Sequence, residues 1–263
     1  MLTCNQKIEG ARYITPKEQK RKFLDKLLRP GNLYFYARTF GTINKFAKIC
    51  ERGDYTFDGL AEHARLVLDG VEDCGGKVEI TNLDKLNPGP KVYVGNHISS
   101  LETVTLPYIM QGGGPLIFVV KESLMTYPVF GHIMKGMSCI PMTRENPIQD
   151  LKLLLKQGGE MLKNGISVVI FPQKTRGPEF IPEEFNSIAC KLARRAGVPI
   201  QPLALETSFW GKGKKISDYG PINRDATVRY TFGDAMDVDG KNEKEVHQKC
   251  VDFIDQTLKD WRS

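Results

Sequence analysis

A chain of 263 residues, 41% hydrophobic and 26% charged, has the material for one sizeable α/β domain with an appendage and is too apolar for wholesale disorder. Its six cysteines show no CxxC and no Cys/His ligand spacing, which argues against a disulfide scaffold or a zinc module and suits reduced, buried thiols. The net charge of +6 is uneven: residues 1–50 hold 11 Lys/Arg against 3 Asp/Glu. A basic end of this kind suits an anionic surface, phospholipid or nucleic acid, although plain solubility would also explain it.

The first seven residues, MLTCNQK, lack the apolar run of a secretory signal, and Cys4 makes a poor lipoprotein cysteine. No stretch reaches the roughly 18 apolar residues that cross a bilayer. Any membrane contact is therefore expected to be peripheral, on the cytoplasmic face. Residues 17–28 (KEQKRKFLDKLL) place Phe23, Leu24, Leu27 and Leu28 on one helical face with lysines around the other, and Pro30-Gly31 ends the pattern. Residues 32–50 form a second, aromatic-rich segment with Tyr34, Phe35, Tyr36, Phe40 and Phe46 beside Arg38, Lys45 and Lys48. Two such helices could lie in a lipid interface or pack as a hairpin on the domain. Residues 1–56 are accordingly expected to be a basic, helical, membrane-associating segment, and 57–263 the main domain.

An amphipathic helix is predicted over 56–74. Beyond it, strand-length apolar runs at 77–80, 91–95, 116–121, 139–143, 167–171, 199–205 and 227–232 alternate with helical patterns at 101–110, 128–137, 147–163, 183–196 and 243–261. Continuous rather than alternating apolar strands separated by helices imply a mostly parallel sheet of about seven strands, covered by helices on both faces. Ligands of such a sheet gather at the carboxyl ends of its strands. His63, His132 and His247 fall within helical patterns and read as structural.

The first chemistry-bearing stretch follows the strand KVYV: Gly95-Asn96-His97-Ile98-Ser99-Ser100-Leu101-Glu102. On a regular helix His97 and Glu102, five residues apart, would point about 140° away from each other. They meet only if His97 lies in the turn before the helix. There Glu102 would hold one imidazole nitrogen and leave the other to take a proton. Ser99-x-x-Glu102 is also a capping box, which alone would account for the serine and the glutamate.

Four blocks in order make the chain resemble the glycerolipid acyltransferases whose best-known members are the 1-acylglycerol-3-phosphate acyltransferases. Asn96-His97 with Glu102 matches the family's Asn-His, four residues and an acid. Lys121-Glu122-Ser123-Leu124 with Pro128, Phe130 and Gly131 resembles the segment after the next strand. Ile140 to Arg144 (IPMTR) is similar to the second block; Phe171-Pro172-Gln173-Lys174-Thr175-Arg176 stands where the family usually has Phe-Pro-Glu-Gly-Thr-Arg; and Val198-Pro199-Ile200 with Pro202 matches the fourth. Two departures stand out. Glu102 replaces the usual Asp, a variant that also occurs among lipid acyltransferases, and Gln173-Lys174 replaces Glu-Gly.

The resemblance implies direct acyl transfer from a thioester to the hydroxyl of a lysophospholipid, with His97 as general base and Glu102 as its orienting partner. Arg144 and Arg176 would bind phosphate, although either could instead be a surface ion pair. Asn96, Lys121, Gln173, Lys174 and Thr175 join them as substrate-binding residues. Oxyanion donors are expected from backbone N–H groups near Lys174 and Thr175 or from Lys121. No cofactor and no metal are implied, and acyl-CoA or an acyl carrier protein serves as donor. If Gln173 and Lys174 both face the acceptor, the pocket gains positive charge, which favours lysophosphatidic acid. Other lyso-lipids, aminolipid or glycolipid, remain as acceptors, as does a non-catalytic lipid-binding protein. No module supports nucleic-acid binding. The loop Gly211-Lys212-Gly213-Lys214-Lys215 reads as a solvated turn that could touch headgroups.

Overall fold

The computed structural model describes residues 10–28, 32–173, 175–214 and 219–263. Among these the apolar runs form one sheet from β1 (Tyr13–Ile14), β2 (Lys77–Thr81), β3 (Val92–Gly95), β4 (Leu116–Lys121), β5 (Ile140–Met142), β6 (Ser167–Ile170), β7 (Ile200–Glu206) and β8 (Thr227–Phe232). The strand order is β1-β2-β8-β7-β3-β6-β4-β5. Every neighbouring pair is parallel except β1–β2 and β7–β8. The sheet therefore has eight strands where about seven are predicted. The addition is β1, two residues long and too short to leave a periodic signal. It lies in the segment expected to be helical, held where Tyr13 pairs with Ile80 and donates its hydroxyl to the buried Glu72 at 2.7 Å.

Covering the sheet are α1 (Phe23–Leu27), α2 (Leu33–Glu51), α3 (Phe57–Asp73), α4 (Leu101–Ile109), α5 (Phe130–Gly136), α6 (Pro147–Lys163), α7 (Ile188–Ala196) and α8 (Glu243–Arg262). The helix predicted over 17–28 shrinks to the five residues of α1, because Lys22 is extended and its N–H donates to the Asp73 carbonyl at 2.8 Å. The stop at Pro30-Gly31 lies outside the described residues. The helix predicted over 183–196 is broken by Phe185, whose extended backbone carries its ring into the core, so that a short turn (Pro182–Glu184) precedes α7.

Strand alternation sends side chains to two different covers. Tyr93, Leu116, Phe118 and Val169 point into an aromatic-rich cluster shared with α2, α3, α4 and α5. Val92, Val94, Ile117, Val168 and Ile170 point into a mainly aliphatic cluster shared with α6, α7 and α8. In α2 the buried side chains include Phe35, Tyr36 and Phe46, and Phe35 meets Tyr36, Phe209 and Trp210 edge-on at 5.4 Å. Phe23, Leu24 and Leu27 of α1 stay exposed, while Asp25 between them is buried and paired with Arg21 and Arg224.

Candidate active site

β3 ends at Gly95 and α4 begins at Leu101, so residues 96–100 form a turn at the carboxyl end of a central strand. In that turn His97 Nδ1 lies 2.8 Å from Glu102 Oε1. A carboxylate partner assigns the proton to Nδ1 and leaves Nε2 as the acceptor. The same Oε1 accepts the backbone N–H groups of Ile98 at 2.7 Å and Ser99 at 3.0 Å. One glutamate thus holds the turn that leads into α4 and orients His97, although the N-cap residue of α4, Ser100, makes no side-chain capping bond. Glu102 is fully buried. Burial by itself pushes its carboxyl up, but bonds from His97, Thr207 and the backbone together outweigh that and hold it below the ordinary carboxylate value. The His97 ring also stacks on Phe171, centroids 4.5 Å apart and planes 8° from parallel.

The turn is fixed from two sides. The Asn96 side chain donates to the Leu205 carbonyl at 2.8 Å and accepts the Leu205 N–H at 2.9 Å, tying β3 to β7. Gln173 Oε1 accepts the His97 N–H at 2.6 Å, and the Gly177 N–H donates to the His97 carbonyl at 3.0 Å.

Beside His97 opens a cavity of about 430 Å³, within the roughly 300–1,000 Å³ usual for small-molecule sites. Its walls are apolar: Ile43 and Phe46 from α2, Leu60, Ala64 and Val67 from α3, Val104 from α4, Phe118 and Val120 from β4, Ile133 and Met134 from α5, and Met137 just after it. The polar lining includes Lys121, Arg144, Thr175, Arg176 and Lys212 with His97 and Ser100. Of these, Lys121, Arg144, Thr175 and Lys212 are exposed, so the polar end faces solvent as a cationic mouth. Arg176 donates to the Ser100 hydroxyl, which ties its guanidinium to the His97 turn. Arg144 takes the left-handed conformation at φ 63°, costly for a non-glycine residue. Asp150 holds it there by accepting the Arg144 N–H at 2.7 Å and the Thr143 N–H at 2.9 Å. These bonds outweigh the upward push of burial and keep the Asp150 carboxyl below its ordinary value.

A family model described as Acyltransferase matches residues 77–206. A 1-acyl-sn-glycerol-3-phosphate acyltransferase of Pseudomonas aeruginosa is 30% identical over 189 residues, 70% of this chain and 70% of that protein. The chain belongs to the acyltransferase family. A chloroplastic 1-acyl-sn-glycerol-3-phosphate acyltransferase of Brassica napus is 34% identical over 131 residues, 49% of this chain but only 37% of that longer protein. The crystal structure of the 1-acyl-sn-glycerophosphate acyltransferase of Thermotoga maritima has the same fold, with a TM-score of 0.63 at 20% identity over 88% of this chain and 95% of that one.

Within this acyltransferase the sequence-derived residues separate into two groups. His97, Lys121, Arg144, Thr175 and Arg176 line one cavity, with Glu102 behind His97. Asn96 and Gln173 do not line it; their amides are engaged by backbone, and Gln173 Nε2 reaches the Glu179 carbonyl at 3.4 Å. Lys174, and Lys215 of the glycine-lysine loop, lie outside the described residues. Lys212 of that loop, read from sequence as a solvated turn, lines both the mouth and a small recess formed with Ser99, Ser100, Arg176 and Trp210. His63, read as structural, lines the apolar part with its Nδ1 2.7 Å from the Gly59 carbonyl. The paired glycines around Lys212 were a signal for that residue, whereas nothing local marks Ser100 or Thr207. Among the described residues no cluster of His, Cys, Asp or Glu has the arrangement of a metal site.

Proposed function

We propose that this acyltransferase moves a fatty acyl group from a thioester donor to the free hydroxyl of 1-acylglycerol-3-phosphate, giving phosphatidic acid. The observation that carries the reading is the place of the His97–Glu102 pair, between an apolar cavity and a cationic mouth. Nε2 of His97 takes the hydroxyl proton as the oxygen attacks the thioester carbonyl, a role worth about 10² to 10⁴ in rate. The tetrahedral oxyanion is held by the Lys121 ammonium or by the backbone N–H of Thr175. Collapse expels the thiolate, which takes the proton back from the imidazolium, and His97 is ready again. The acyl chain occupies the apolar cavity. Arg144 and Arg176 grip the acceptor's phosphate, for which a guanidinium fork is suited. The donor is acyl-CoA or an acyl carrier protein, and the chemistry calls on no cofactor or metal.

Access to a lipid acceptor is supported by the exposed Phe23, Leu24 and Leu27 of α1 beside Lys20, Lys22 and Lys26. No helix among the described residues is long and apolar enough to cross a membrane. Peripheral binding at the cytoplasmic face is the arrangement we infer, with membrane lipids as partners.

The test is turnover of purified protein in mixed micelles against a grid of thioester donors and lyso-lipids, with co-sedimentation on anionic vesicles alongside. Highest efficiency is expected with lysophosphatidic acid. A preference for a neutral or zwitterionic acceptor would remove the phosphate assignment and leave acyl transfer standing, whereas no turnover on any acceptor would sink both.

A further inference from the structure

Glu102 is one methylene longer than the Asp usual at its place, a difference of about 1.5 Å in reach and one more rotatable bond. Its near oxygen, Oε1, is fixed by His97 Nδ1 and two backbone N–H groups. The far oxygen, Oε2, looks toward Thr207, whose hydroxyl donates to it. Ser99 comes close as well, with its N–H at 3.1 Å and its hydroxyl at 3.2 Å. The Ser99 hydroxyl has one proton to give, and the Thr207 carbonyl, at 2.9 Å, is its closer acceptor. Thr207 is therefore the hydroxyl donor for Oε2. Both residues are fully buried, so bulk solvent cannot take over the bond.

We propose that Thr207 is a positioning residue for acyl transfer: its hydroxyl pins Oε2 of Glu102 so that Oε1 stays aimed at His97 Nδ1 while the imidazole gains and returns a proton. Thr207 is the first residue after β7, the strand that Asn96 grips through Leu205, so the same strand that anchors the His97 turn delivers the hydroxyl. It also falls one position beyond the 77–206 match to the family model. The longer acid and the threonine act as a pair in this chain, since the added bond of Glu102 needs a fixed point at its far end.

The inference rests on His97 being the base, so His97→Ala is measured in parallel. Thr207→Val removes the hydroxyl and keeps the branched shape. Its kcat is expected to fall about tenfold, the loss of one hydrogen bond to a charged group, with both KM values unchanged to within about twofold. Thr207→Ser, which restores the donor, should recover most of the turnover. In a Glu102→Ala background, where nothing is left to position, Thr207→Val should change kcat by less than about twofold. If Thr207→Val does not fold, Thr207→Cys places a weaker donor at the same point and should give an intermediate kcat. An undiminished kcat in Thr207→Val, or an equal loss in the Glu102→Ala background, or a change confined to KM, would overturn the positioning role while an inactive His97→Ala upholds the base. His97→Ala retaining half the turnover would overturn the base and the positioning role together.

Discussion

The two faces of the sheet are built from the same strands and do different things. On one, α6, α7 and α8 close over a mainly aliphatic cluster with helices in direct contact: a Cβ placed on Gly158 of α6 would come within 2.9 Å of Leu192 on α7. On the other, α2 to α5 also pack against one another, bring aromatic rings, and together with β4 wall a cavity of about 430 Å³. Apolar burial stabilises both faces, and the second also walls a space the size of a small-molecule site. Substitutions on the solid face should therefore cost stability alone, with chemistry concentrated on the hollow one.

The sharpest way to break this division is His97→Ala. On the hollow face it is expected to lower turnover by about 10² or more with the circular dichroism spectrum and micelle binding intact; half-retained activity would take His97 out of the mechanism. On the solid face, Leu192→Ala should cost about 2–5 kcal/mol in urea unfolding, because it leaves a void that its neighbours fill only in part. Its turnover per folded molecule should not move. A matching loss of kcat would mean that the faces are coupled.

At the cationic mouth a smaller, more selective effect is expected. Arg176→Ala should raise the KM for the acceptor about tenfold, equivalent to 1.4 kcal/mol, and leave that for the thioester nearly unchanged. Equal increases in both would place the arginine on the donor side.

The smallest effect is one of pH. Because the Glu102 carboxyl is held below its ordinary value in the folded protein, it adds stability above the unfolded carboxylate range, near pH 4, that is lost as the pH falls through the folded value. Asp150, depressed in the same direction, contributes alike and is present in both proteins compared. The fall in unfolding midpoint from about pH 6 to about pH 3 should be shallower in Glu102→Gln than in the parent. Identical slopes would mean that the carboxylate adds nothing to folding there.

Legibility followed distance along the chain. His97 and Glu102 could be paired from sequence because they are five residues apart and only a turn brings them together. Gln173 stood in a recognisable block, yet the contact it makes was out of reach: its Oε1 accepts the N–H of His97, 76 positions away. The aromatic stretch 32–50 announced an apolar helix face without saying what would cover it. The fold buries Phe35 and Tyr36 of α2 against Trp210, packs Phe46 against Tyr55 and His63, and walls the cavity with Ile43 and Phe46.

By itself the sequence determined the mostly parallel, helix-covered sheet, the turn that carries His97 and the arginine-bearing blocks, because period, capping and short-range spacing are local properties of the chain. The cavity, the mouth that includes Lys212, and the strand end that brings Thr207 to Glu102 across 105 positions were decided only in three dimensions. A void and a long-range hydrogen bond are relations between surfaces, and no window along a sequence contains both partners.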